Sequence, residues 1–282
     1  MRQRYHWRMR TLVKRAAVVV LASAIATSAA VAGIGDWAVA DVVRARIVAS
    51  FDGDGQPVAA IEVRLNPGWK AYWRTPGEGG LPTVFDFSMS RNLESAEVYY
   101  PAPRRYDDGY TTTNVYDGRV LFPIDLSAAL PSVSMAIVVQ IDMGVCEQIC
   151  IPLQLETSVE LSVGADDAAA ESIIDEAIAM LPNAPQPGAF EITGVTLIED
   201  DGETALFEAT AVVPQPFGSD LFVEGPVGWY PIAPVQIGRA GNTLTFAFAF
   251  ERLGEATPLE AAELTFTLVS TGAAIEQRVR LP

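Results

Sequence analysis

The chain has 282 residues, with 19 Lys and Arg against 35 Asp and Glu, a net charge of −16, two cysteines and one histidine. An acidic surface of this kind repels nucleic acid and anionic lipid, so a nucleic-acid partner is excluded and any protein partner is expected to offer a neutral or basic face. The length allows one large domain or two of ordinary size.

The amino terminus carries Arg2, Arg4, Arg8, Arg10, Lys14 and Arg15, followed over residues 16–32 by a run of Ala, Val, Leu and Ile. Two small-x-small sites follow, Ala30-Val31-Ala32 and Ala38-Val39-Ala40. This is the layout of an export signal, assigned to residues 1–40 with the cut before Asp41; the competing reading is an uncleaved anchor, for which the Ala-rich run is barely long enough. Residues 1–40 hold six of the 19 basic residues and one of the 35 acids, Asp36, so the mature chain has 13 against 34 and a net charge of −21. The sole histidine, His6, leaves with the signal. Histidine-dependent nucleophilic sites and histidine-ligated metals are thereby excluded from the mature chain. No cofactor is expected, and export to an oxidising compartment suits a disulfide.

From Asp41 the apolar period is two. Val43, Ala45, Ile47, Ala49 and Phe51 alternate with Arg44, Arg46 and Ser50, and a turn at residues 52–55 leads to Ala59, Ile61, Val63 and Leu65. This predicts a hairpin with one buried face. Further strands are expected at 96–100, 119–126, 135–143 and 153–163, a spacing that suggests an antiparallel sandwich. The period then changes. Asp166 or Asp167 can cap a helix whose face is Ile173, Ile174, Ala177, Ile178 and Leu181, ending at Pro182. Residues 182–188, with three prolines, read as an extended linker. Period two returns at 190–198, 204–213, 219–224, 243–250, 262–270 and 273–281. The expected fold is therefore all-β, with a sandwich at 41–163, a linker helix region at 164–187 and a second sandwich at 188–282.

The chemistry rests on Cys146 and Cys150. In a continuous strand their Cα atoms would lie about 13 Å apart, whereas a disulfide needs roughly 4.4–6.8 Å. An oxidised pair therefore requires the chain to reverse at Glu147-Gln148-Ile149, as a hairpin neck or, less in keeping with the flanking strands, one helical turn. Closing so short a loop stabilises by only about 2 kcal/mol, and weakly stabilising bridges tend to be the labile ones. Three readings stay open: exchange chemistry, a structural disulfide in a β-sandwich adaptor, and a Cu(I) site made of the two thiolates and Met143.

Three segments carry a resemblance. They are residues 66–82, beginning Asn66-Pro67-Gly68-Trp69-Lys70-Ala71-Tyr72-Trp73-Arg74; residues 100–108, Tyr100-Pro101-Ala102-Pro103-Arg104-Arg105-Tyr106-Asp107-Asp108; and residues 144–152 around the cysteines. In this order they resemble the amino-terminal periplasmic region of the DsbD/ScsB family of thiol:disulfide interchange proteins, the ScsB branch being associated with copper tolerance. The resemblance covers residues 42–163 and, less specifically, the helix and second domain. It implies an immunoglobulin-like fold whose catalytic cysteines, Cys146 and Cys150, relay electrons, with Cys150 forming the mixed disulfide and Cys146 resolving it. It implies as partners a membrane-embedded electron donor of the DsbD/ScsB type and periplasmic thioredoxin-like or disulfide isomerase-like proteins. It further implies a cap over the cysteines, formed by Tyr106, Asp107, Asp108 and Tyr110, and an aromatic lining of Trp69, Tyr72 and Trp73. The bland reading of Trp69 and Trp73, four residues apart on one strand face, is core packing. The cysteine spacing is narrower than in DsbD itself, and this chain has neither that family's transmembrane core nor its carboxy-terminal CxxC domain.

Overall fold

The computed structural model describes residues 33–164, 167–254 and 256–281; the basic and apolar segment 1–32 and Asp166 lie outside them. Among the described residues no helix is long and apolar enough to cross a membrane. The architecture is two immunoglobulin-like antiparallel sandwiches with separate cores.

The first sandwich is built from β1 (Ala38–Val39), β2 (Val43–Phe51), β3 (Pro57–Leu65), β4 (Lys70–Gly77), β5 (Val84–Asp86), β6 (Leu93–Val98), β7 (Arg104–Asp107), β8 (Thr112–Asp117), β9 (Arg119–Ala128), β10 (Met135–Cys146) and β11 (Cys150–Leu161). One sheet has the order β1-β2-β3-β9-β6; the other runs β11-β10-β4-β8-β7, with β5 added against β10. The period-two pattern places Ala45, Ile47, Ala59, Ile61 and Val63 inward against Ile137, Val139, Ile141 and Val145 of the opposite sheet, because successive side chains of a strand point to opposite faces.

The outer face of the first sheet has two covers. The first is α1 (Ala168–Ala179), capped by Asp167, whose carboxylate accepts from the backbone N–H groups of Ala169 and Ala170. It buries Ala170, Ile174 and Ala177 on Val48, Ala60 and Leu121. The helix is thus docked on the first domain, and Ile178, expected on its apolar face, is exposed. The second is the Trp37 ring, carried by the segment before Asp41, which pairs along the β2 edge of the sheet. The Gly35 N–H donates to the Ile47 carbonyl at 2.8 Å, Gly33 accepts from Ala49 N–H at 2.6 Å, and the Trp37 ring is surrounded by the guanidinium groups of Arg44, Arg46 and Arg64. Residues 33–40, assigned to the signal on sequence, are part of the first sandwich. Arg46 and Arg64 also reach Glu62, 0 % exposed, which accepts hydrogen bonds from Arg46, Arg64 and Arg119 at 2.6–2.8 Å. Burial pushes its carboxyl up, but the guanidinium donors of Arg119, Arg64 and Arg46 prevail and hold its pKa at about 2.

The second sandwich pairs β12 (Glu191–Asp200), β13 (Thr204–Val212), β16 (Thr243–Arg252) and β15 (Trp229–Ala240) in one sheet and β14 (Asp220–Glu224), β17 (Glu263–Ser270) and β18 (Ala273–Arg280) in the other. Phe246, Phe248 and Phe250 pack with Phe207, Trp229 and Phe266 at its centre. The linker is not free. Asn183 bridges to β18, its N–H donating to the Ala274 carbonyl and its carbonyl accepting from Glu276 N–H.

Candidate functional site

The cysteines sit at the neck of the longest hairpin in the molecule. β10 and β11 pair continuously from Met135 opposite Leu161 to Cys146 opposite Cys150, and residues 147–149 make the reversal. The pair is disulfide-bonded, with Cα atoms 4.2 Å apart. Of the two open conformations for the C-x3-C segment, the structure has the hairpin. Cys150 is exposed and Cys146 half-buried.

The sulfurs face a cavity of about 260 Å³ that brings together Lys70, Tyr72, Tyr106, Asp108 and both cysteines. β4 positions the first two. It pairs with β10 at Ala71 opposite Val145 and Lys70 opposite Cys146, so Tyr72, on the face away from the core, reaches the hairpin neck. Its hydroxyl lies 3.0 Å from Cys150 Sγ. The ring is clamped: a Cβ on Gly80 would sit 2.3 Å from it and a Cβ on Gly144 3.0 Å from it. Thr83 pins the Tyr72 backbone, donating its hydroxyl to the Tyr72 carbonyl at 2.9 Å. Burial, helped by the charge of Asp108, raises the Tyr72 phenol above its ordinary pKa. The hydroxyl therefore stays protonated and is placed to donate toward Cys150 Sγ.

The 107–112 loop closes one side. Asp108 accepts from the backbone N–H groups of Thr111 and Tyr110, which lowers its pKa, and Asp107 accepts from Gly109 N–H. The Tyr106 ring stacks under Lys70, whose ammonium lies 4.1 Å from the ring centroid. Glu78 ties the far end of the loop by accepting from Thr112 N–H at 2.8 Å.

The residues expected from sequence divide here. Tyr72, Tyr106 and Asp108 line the cavity with the cysteines. Asp107 shapes the loop, and Tyr110, 95 % exposed at its tip, points into solvent. Trp69 and Trp73 do not line the site, a correction to the aromatic lining expected on sequence. Trp73 is 1 % exposed and both pack on the first core, because β4 alternation that aims Tyr72 at the sulfurs aims Trp73 inward. Met143, the third ligand of the copper reading, is also buried in the core, on the face of β10 opposite Cys146. A three-sulfur Cu(I) set is therefore not assembled. Lys70, Gly80 and Gly144 were not singled out from sequence. Lys70 carried a usable signal, being the sole lysine after Lys14.

The family model described as the amino-terminal domain of thiol:disulfide interchange protein DsbD matches residues 40–161, which span β2 to β11 of the sandwich that holds this site. Over these residues, fewer than half of the chain, the sequence is similar to the DsbD amino-terminal family. Among solved structures, the amino-terminal periplasmic domain of ScsB from Proteus mirabilis superposes with a TM-score of 0.71 at 21 % identity, over 89 % of this chain and 98 % of that one. At that identity the likeness establishes the shared fold, and it extends across both sandwiches. A search of curated proteins finds no match.

Proposed function

We propose that this protein is a periplasmic thiol–disulfide interchange protein, passing electrons through Cys146 and Cys150 between a membrane-embedded donor of the DsbD/ScsB type and periplasmic thioredoxin-like or disulfide isomerase-like proteins. The observation that carries the reading is the asymmetry of the pair. Cys150 is exposed beside a protonated Tyr72, Cys146 stands behind it, and both belong to a domain similar to the DsbD amino-terminal domain.

The exchange balances without a cofactor. A donor thiolate attacks Cys150 Sγ; a bond forms between donor sulfur and Cys150, the Cys146–Cys150 bond breaks, and Cys146 leaves as a thiolate. The donor's second thiolate then attacks its own sulfur in the mixed disulfide. This releases oxidised donor and leaves both cysteines of this protein reduced. In the forward half, the Cys150 thiolate attacks a partner disulfide and Cys146 resolves the product, returning two electrons to the partner. Lys70 supplies positive charge beside the leaving sulfur and Tyr72 supplies a hydrogen bond, the two means of thiolate stabilisation left to a site without histidine.

The periplasmic setting is supported by the basic and apolar leader and by the fold shared with a periplasmic ScsB domain. The contacts of residues 33–40 with the first sheet favour a cut after Ala32, at the Ala30-Val31-Ala32 site, over one before Asp41.

The deciding experiment pairs trapping with a potential. A Cys146→Ser variant is expected to capture a partner through Cys150, and the pair is expected to equilibrate at roughly −120 to −270 mV, the range of exchange proteins. A potential below about −300 mV, with no adduct from either single-cysteine variant, would establish a structural bridge and the adaptor reading.

A further inference from the structure

β14 is read from both sides. Leu221 and Val223 point into the second core, while Asp220, Phe222 and Glu224, on the opposite face of the same strand, reach the first domain. Phe222 is buried in the first core, edge-on to Trp73 with ring centroids 5.9 Å apart. Glu224 takes three hydrogen bonds from Arg74 at 2.6–3.1 Å and one from the Thr75 hydroxyl at 2.7 Å. Glu276 of β18 takes another from Arg74 at 2.6 Å. Asp220 holds Arg105 through two hydrogen bonds at 2.8 and 2.9 Å, and Arg105 also donates to the Leu221 carbonyl at 2.7 Å.

These anchors fall on two strands of the first domain. Arg74 and Thr75 follow Tyr72 on β4, and Arg105 precedes Tyr106 and the 107–112 loop on β7. Two of the strands that furnish the walls of the cysteine cavity, β4 and β7, are therefore gripped from behind by the second domain. Bidentate carboxylate–guanidinium pairs fix orientation as well as distance, and strands shift only as connected units when their side chains are interdigitated on both faces. The pairs are half-buried, so water competes for them less than at an open surface.

We propose that the second domain is a brace for the cysteine site, with Asp220, Phe222 and Glu224 as positioning residues that hold Tyr72 and the 107–112 loop over Cys146 and Cys150. This assigns the second sandwich a role in thiol reactivity, although it contributes no atom to the cavity.

The test uses the full chain and small reagents, so it stands or falls independently of any partner relay. The Glu224→Gln and Asp220→Asn variants, singly and together, are oxidised and the rate of bridge reduction by dithiothreitol is measured; the reduced proteins are then alkylated with iodoacetamide across a pH series. The double variant is expected to be reduced on the order of tenfold faster, the factor that loss of a charge-assisted hydrogen bond implies for the frequency of cap opening. Its alkylation midpoint is expected to move to higher pH as the Tyr72 donor is lost part of the time, while Asp220→Glu keeps both wild-type values. A double variant with faster proteolysis at residues 182–188 or a lowered Tm, yet with wild-type reduction rate and alkylation midpoint, would show that the contacts are structural and would overturn the proposal. Should the double variant not fold, Glu224→Gln alone decides on the same two readouts, since it preserves shape while removing the charge and one acceptor oxygen.

Discussion

The Tyr72→Phe substitution isolates the hydroxyl that touches the reactive sulfur. It removes one oxygen, 3.0 Å from Cys150 Sγ, and leaves the ring between Gly80 and Gly144. Gly80 and Gly144 lie outside the bridge, so in the dithiol the wild-type hydroxyl is expected to face Cys150 still. Donation to a thiolate is a charge-assisted hydrogen bond, worth about 1.5–3 kcal/mol in a partly buried setting. At 1.36 kcal/mol per pKa unit, its loss raises the Cys150 thiol by about one to two units. The ordinary cysteine value is about 8.5, so the effect falls where iodoacetamide kinetics read it directly. The expected result for reduced Tyr72→Phe is an alkylation midpoint about one unit or more above wild type, with a slower rate at pH 7 and an unchanged far-UV spectrum. A midpoint within about 0.3 units of wild type, well under the shift derived above, would refute the claim that Tyr72 stabilises the Cys150 thiolate.

Three further outcomes follow from the geometry. Glu62 is depressed from 4.5 to about 2 in the folded state, so its stabilisation is complete above about pH 4.5 and is lost as pH falls toward 2. That contribution amounts to about 3 kcal/mol. Urea unfolding should therefore show a gap between wild type and Glu62→Gln that narrows between pH 5 and pH 2, and a gap constant across that range would contradict the assignment. Gly80→Ala, at a φ of +118° with its Cβ directed at the Tyr72 ring, should displace the ring and reproduce the Tyr72→Phe midpoint shift; full wild-type reactivity would mean that the glycine loop does not hold the ring. Intact-mass measurement of exported protein should give a chain beginning at Gly33, and a mass beginning at Asp41 would mean that the 33–40 contacts are dispensable.

Much of this molecule is written in local alternation. A strand buried on one face must repeat apolar side chains every second residue, so β2, β3, β11, β13, β16 and β17 are visible in the one-dimensional pattern, as is the Asp167 cap, whose partners are its own chain neighbours. The reversal at residues 147–149 was equally local, since no other path brings cysteines four apart within bonding distance except a single helical turn. β15 was not legible. Pro231 and Pro234 interrupt it, its register shifts, and its outward residues Tyr230, Ile232, Val235 and Ile237 are exposed apolar groups that blur the alternation.

The site required the third dimension. Alternation says that Tyr72 and Trp73 face opposite ways, but only the pairing of Ala71 with Val145 decides that the Tyr72 face carries the sulfurs and the Trp73 face the core. The apolar stripe of α1 requires a partner without naming the outer face of the first sheet. Asp220, Phe222 and Glu224 read as the polar-side positions of an ordinary short strand until a second domain is laid against Arg105, Trp73 and Arg74. Local periodicity is set by covalent geometry and burial of one face, and so it is present in the sequence alone. Which buried face meets which is a choice among surfaces distant along the chain, and only the folded packing makes it.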